Sequence, residues 1–151
     1  MPPRKTMVAV EGLAALQAAL RQLPDATAKN VLRRVGRKVL QPVADRAEAL
    51  AREDTGALKR SIGVSTKLTK SQRRANVKVG RDDVEVYVGA GGLTQAITEE
   101  YGTEDQAPHP FMRPAWDGEK RGVLANVKTG LWTEIQRSAA RLAKKAAKAK
   151  A

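Results

Sequence analysis

Three prolines fall between positions 108 and 114, in a stretch that also holds the chain's single histidine and single phenylalanine. Pro108, Pro110 and Pro114 each fix φ and remove a backbone donor, so residues 99–116 are not expected to form an ordinary helix or a central strand. Aromatic residues make up only 3% of the sequence, yet Tyr101, Phe111 and Trp116 all sit here. A stiff segment carrying scarce rings locks onto its own core or onto a neighbour. The rest of the chain has to be arranged around it.

Before this strap the pattern is mostly helical. Leu13, Leu16, Leu20 and Leu23 recur at three and four, one face of an amphipathic helix that Pro24 ends. From Ala26 to Arg52 a second stripe follows, formed by Val31, Val35, Val39, Val43, Ala47 and Leu50. Pro42 interrupts that helix, and an interior proline costs about 3 kcal/mol, so a kink or a break is expected there. The stripe stays in phase across it, which favours a kink. Met7 to Val10 reads as a short strand. Residues 61–68, 75–80 and 83–89 alternate as strands of an antiparallel meander, with 69–75 as a solvated hairpin loop. Val84, Val86 and Val88 make the clearest of the three. After Pro114, Val123, Val127, Leu131, Ile135, Ala139 and Leu142 mark a last helix, on which Trp116 and Trp132 are expected to pack inward.

Composition narrows the function classes. The chain has 151 residues, no cysteine and a formal net charge of +12. That length suits one domain, and the missing cysteines exclude disulfides and thiolate metal sites. A large positive charge points to nucleic acid, acidic protein surfaces or anionic lipid as partners. No apolar run is long enough to span a membrane, and Met1 to Thr6 lacks the apolar core of a signal peptide. The expected organisation is a basic arm over residues 1–6, one domain over 7–143 and a basic, disordered tail over 144–151.

Catalytic motifs have bland readings that outweigh them. Asp54-Thr55-Gly56 spells the aspartic-protease triplet, but that chemistry needs a strand before it and a second paired aspartate. A helix-ending turn, with Thr55 bonding backbone locally and Gly56 left-handed, is the stronger reading. Gly89 to Gly92 follows a strand without the lysine and hydroxyl of a phosphate loop. His109 has no second histidine or cysteine to share a metal with. Glu99, Glu100, Glu104 and Asp105 form an acidic island in a basic chain, expected to pair with basic surface on a neighbouring copy, Glu100 first. Phe111 admits two readings of equal standing: a core plug, or an anchor in the next subunit. No catalytic, metal or cofactor site is assigned, and no cofactor is expected.

Three motifs carry a family resemblance. Glu100-Tyr101-Gly102-Thr103 followed by Pro110-Phe111-Met112-Arg113-Pro114-Ala115 resembles the signature of siphophage gp-ten-like minor tail components, also called tail-completion, head–tail joining or neck proteins. Thr55-Gly56-Ala57-Leu58-Lys59-Arg60-Ser61-Ile62 is similar to the same family's Thr-Gly-x-Leu-Arg/Lys-x-Ser-Ile. Val10-Glu11-Gly12-Leu13 resembles its opening. Ala51 to Asp54 departs from the family in lacking a proline before the Thr-Gly.

The resulting expectation is an α+β domain: a small antiparallel sheet of about three to four strands against a kinked N-terminal helical pair and a long C-terminal helix. The resemblance implies a non-enzymatic virion protein of the head–tail junction, assembled in the host cytoplasm. It would form a homo-oligomeric ring, six- or twelve-fold, around the DNA channel, touching neighbouring neck and tail proteins and no membrane. Thr55, Gly56, Leu58, Glu100, Tyr101, Gly102, Thr103, Pro110, Phe111, Arg113 and Pro114 are the candidate subunit-interface residues. Arg73, Arg74, Lys144, Lys145 and Lys148 are candidates for contact with packaged DNA or an acidic partner. The alternatives are a non-specific nucleic-acid-binding protein, or another neck role such as tail terminator or head-closure adaptor.

Overall fold

Two long helices form the spine. The computed structural model describes residues 12–54, 56–76, 80 and 83–150. Helix α1 spans Leu13–Arg21 and α2 spans Asp25–Leu50. A short α3, Ala57–Ser61, leads into strand β1, Gly63–Ser65; helix α4 is Lys70–Ala75 and strand β2 is Tyr87–Gly89. Helix α5, Thr94–Tyr101, precedes the 38-residue α6, Met112–Ala149. The molecule is therefore mostly helical, with a small antiparallel sheet and a long C-terminal helix.

The valine stripe of α2 is the seam on which everything packs. Val31, Val35, Val39, Val43 and Ala47 are all buried, while Leu50, at the stripe's end, stays partly exposed. Its first half joins Leu16 and Leu23 beside α1, and Leu131 and Ile135 of α6, in one apolar cluster that Trp132 lines. The second half, Val43 and Ala47, joins Ala51, Leu58, Ala90, Phe111 and Ala115 in another. The stripe on α6 drifts at its end: Ser138 is buried and Ala139 is exposed, so the rhythm runs 131, 135, 138, 142. Gly130 has a packing reason, because a Cβ there would come within 3.1 Å of Val35. Arg46 of α2 pairs with Glu119 of α6 at 3.0 Å and Arg34 with Glu134 at 3.2 Å, exposed ties worth little by themselves.

Several expectations change. At Pro42, where the sequence favours a kink over a break, the break is absent: α2 runs from Asp25 to Leu50 with the proline inside it. The first and last expected strands pair directly, with Gly63 opposite Gly89, Val64 opposite Val88 and Ser65 opposite Tyr87. Each is three residues long, and they make a two-stranded sheet among the described residues. A pair that short is marginal alone and needs the helix beneath it. Val77 and Val79 of the expected middle strand, the N-terminal arm and the strand at Met7 lie outside the described residues. The 69–75 loop is instead helix α4, started by a capping box: Gln72 N–H donates to Thr69 Oγ1 at 3.3 Å, and Thr69 N–H donates to Gln72 Oε1 at 3.0 Å. Helix α6 continues to Ala149, through the segment expected to be disordered, and every residue from Ala143 to Lys150 is exposed.

Candidate functional site: a clasp between α5 and α6

Helix α6 begins without a capping side chain of its own. The first N–H groups of a helix need acceptors from elsewhere. Glu100, near the end of α5, supplies them. Its Oε2 accepts from Phe111 N–H at 2.8 Å and from Met112 N–H at 2.9 Å; its Oε1 accepts from Arg113 N–H at 3.1 Å. The next residue is Pro114, which has no N–H, and Ala115 N–H already bonds Phe111 C=O at 3.3 Å. Every donor of the first turn is thus accounted for.

Arg113 closes the arrangement. Its Nε donates to Glu100 Oε1 at 2.9 Å and its Nη2 to the Glu100 carbonyl at 2.9 Å. Its guanidinium carbon sits 5.0 Å from the centre of the Tyr101 ring. Glu100 is 5% exposed. Burial pushes its carboxyl pKa up, but the N–H donors of Phe111, Met112 and Arg113 and the Arg113 guanidinium outweigh that and hold it below the ordinary glutamate value. The positive end of the helix favours the same charged form.

The turn between the helices is equally determined. Gly102 adopts φ +77°, and a Cβ there would lie 2.7 Å from the Gln106 carbonyl and 2.9 Å from Pro108 N. Thr103 N–H bonds Gln106 C=O at 2.9 Å, His109 N–H bonds Glu99 C=O at 2.7 Å, and Gln106 Nε2 donates to Glu99 Oε1 at 3.2 Å. Glu99 Oε2 and His109 Nδ1 are buried with no partner among the described residues. No cluster among those residues has the make-up of a metal site.

These contacts correct the sequence reading of the strap. Its ends are helical, because Glu99 to Tyr101 finish α5 and Pro114 falls in the first turn of α6, where a missing N–H costs nothing. Glu100 is engaged by its own chain rather than held out for a neighbour. Phe111 is 1% exposed in the second apolar cluster, so of its two readings the core plug is the one seen. Leu58 is buried in that same cluster, and Ile62 packs against it, so the two motifs converge on one core.

Tyr101, Thr103, Pro110, Arg113 and Pro114 remain at the surface. Gly56 has φ +72° at the start of α3; Thr55 lies outside the described residues. Arg73 and Arg74 are exposed on α4; Lys144, Lys145 and Lys148 are exposed on the last turns of α6, at the far end of that helix from the clasp. The sequence reading missed Ile97. It lies one turn before Tyr101 on α5, and the two are 62% and 66% exposed. Trp116, expected to pack inward, is 44% exposed, one turn beyond Arg113. Three large exposed side chains thus lie within one helical turn of the Tyr101–Arg113 contact along α5 and α6.

The chain matches the family model of HK97-gp10-like proteins, described as "Bacteriophage HK97-gp10, putative tail-component", over residues 14–102. That is more than half of its length. The chain belongs to this family. Within the HK97-gp10-like match lie the Thr-Gly motif and Glu100-Tyr101-Gly102. Phe111 to Ala115 fall beyond it, and the clasp is what ties them to the matched part. The family is one of bacteriophage tail components, which makes the chain a viral protein with the virion as its place. The chain matches no curated protein and no solved structure. No described helix is long and apolar enough to cross a membrane.

Proposed function

We propose that this HK97-gp10-like protein is a structural neck component, a tail-completion protein that joins tail to head as a ring around the DNA channel. Its work is assembly rather than catalysis. The family match over residues 14–102 carries the reading. Support comes from Ile97, Tyr101 and Trp116: large exposed apolar side chains on a rigid base are the usual raw material of a subunit contact. The interface moves from the buried strap core to its outer face, with Tyr101, Thr103, Pro110 and Arg113 at its rim. Native mass spectrometry tests this. The purified protein should give one closed multiple of the chain mass, and Ile97→Asp should shift it to monomer while leaving the melting temperature within about 2 °C, as for surface substitutions generally. A chain that stays solitary at every concentration sinks the reading.

A second reading rests on the exposed cations of α4 and the end of α6. A non-specific nucleic-acid-binding protein would use Arg73, Arg74, Lys144, Lys145 and Lys148 on phosphates. Sub-micromolar binding of random duplex DNA by the monomer at physiological salt would favour it.

A further inference from the structure

We infer that neighbouring copies join head to tail, the acidic turn after α5 of one copy seated in the basic groove between α2 and α6 of the next. The inference rests on the ring reading and names its two complementary surfaces.

The acidic island of the sequence is divided by the fold. Glu99 and Glu100 are buried in the clasp, whereas Glu104 and Asp105 are exposed at the tip of the turn. Neither tip carboxylate has a hydrogen bond or ion pair among the described residues. The turn beneath them is held by the Thr103–Gln106, Gln106–Glu99 and His109–Glu99 bonds. Two uncommitted carboxylates are thus presented on a preorganised tip, which lowers the ordering cost of docking.

The receiving surface has the opposite make-up. A groove of about 620 Å³ lies between α2 and α6, floored by Val35, Val39 and Gly130 and rimmed by Arg34, Lys38 and Arg137. It runs on into a hollow lined by Arg141 and Lys144. One carboxylate, Glu134, serves three guanidiniums there: Arg34 at 3.2 Å, Arg137 at 3.4 Å and Arg141 at 4.0 Å. Each guanidinium has five N–H donors, so most are left for an incoming acid. An apolar floor with cationic walls accepts short acidic side chains and the turn that carries them.

The two surfaces cannot satisfy each other within one chain. The turn meets α6 at its first residue, and the groove lies beside Glu134, roughly 30 Å further along the helix axis at 1.5 Å per residue. A contact between opposite ends of identical molecules is heterologous, and it closes into a ring or runs on as a filament. In a chain of charge +12, the tip is a local patch of opposite sign, which sets the orientation of approach.

Neutralising each side separately tests this, with Glu104→Gln/Asp105→Asn for the tip and Lys38→Ala/Arg137→Ala for the groove. All four side chains are exposed, so the variants should fold, which circular dichroism checks. By sedimentation at near-physiological salt, each variant should assemble at least about tenfold more weakly than the wild type, as expected when close charge pairs are lost. An equimolar mixture should give one-to-one pairs and nothing larger, because it contains one intact tip and one intact groove per pair. Wild-type-like assembly of either variant, or a mixture without pairs, overturns the inference while leaving the ring reading standing. A wild type that never assembles overturns both.

Discussion

Glu100 shows how one side chain holds a long helix in register. It bridges α5 to the first turn of α6 with both oxygens, and Arg113 secures it from outside. Glu100→Gln keeps the shape but removes the charge and turns an amide donor toward backbone donors. The expected loss is about 2–3 kcal/mol, read as a lower urea midpoint with unchanged slope. The pH dependence follows from the depressed carboxyl pKa. The folded state binds this proton less readily than the unfolded chain. Its contribution is therefore complete above the ordinary glutamate value near 4.3, and is lost as pH falls through the lower folded value. The wild type should lose more stability than Glu100→Gln across that acid range. Equal acid sensitivity of the two would remove Glu100 from this role.

At the scale of elements, what could be read from residue order depended on how apolar each buried face is. The α2 stripe is six aliphatic or alanine positions in phase, and the first five, Val31 to Ala47, are buried as expected while Leu50 is not. Helix α5 escaped notice because Glu99 and Glu100 occupy its buried side, and two carboxylates read as a solvated face. Its stop signal, a glycine at position 102, was available; that residue takes a positive φ of 77° where the helix ends. The Thr69-x-x-Gln72 box of α4 was likewise present, hidden by a run of cations. Prolines marked the non-helical centre of the strap, residues 102–111, but not the helices that take up both its ends, and their stiffness carries no information about which side of a core a segment faces. Hence the strap was legible and its partners were not. The far end of α6 makes a separate prediction. Lys144 to Ala149 add helix while staying exposed, so deletion after Ala143 should lower helical signal yet leave the melting temperature within about 1 °C. A drop of several degrees would mean that this end grips something.

At the scale of the whole molecule, charge is distributed unevenly. Exposed cations line the α2–α6 groove and the end of α6, and Glu104 and Asp105, without a partner among the described residues, sit near the start of that helix. Four lysines follow Ala143. If they meet packaged DNA, the log–log salt slope of duplex binding should fall by about 2–4 when they are deleted, at roughly 0.9 per phosphate released. An unchanged slope would assign them to protein neighbours instead. The clasp has a consequence for how the chain is made. Glu100 and Phe111 are eleven positions apart, so closing their contact costs little loop entropy. The ribosome need only release the opening turn of α6 for this buckle to fasten. The remaining turns of that helix then emerge onto a foundation already set, and their direction is decided before their own packing partners are met.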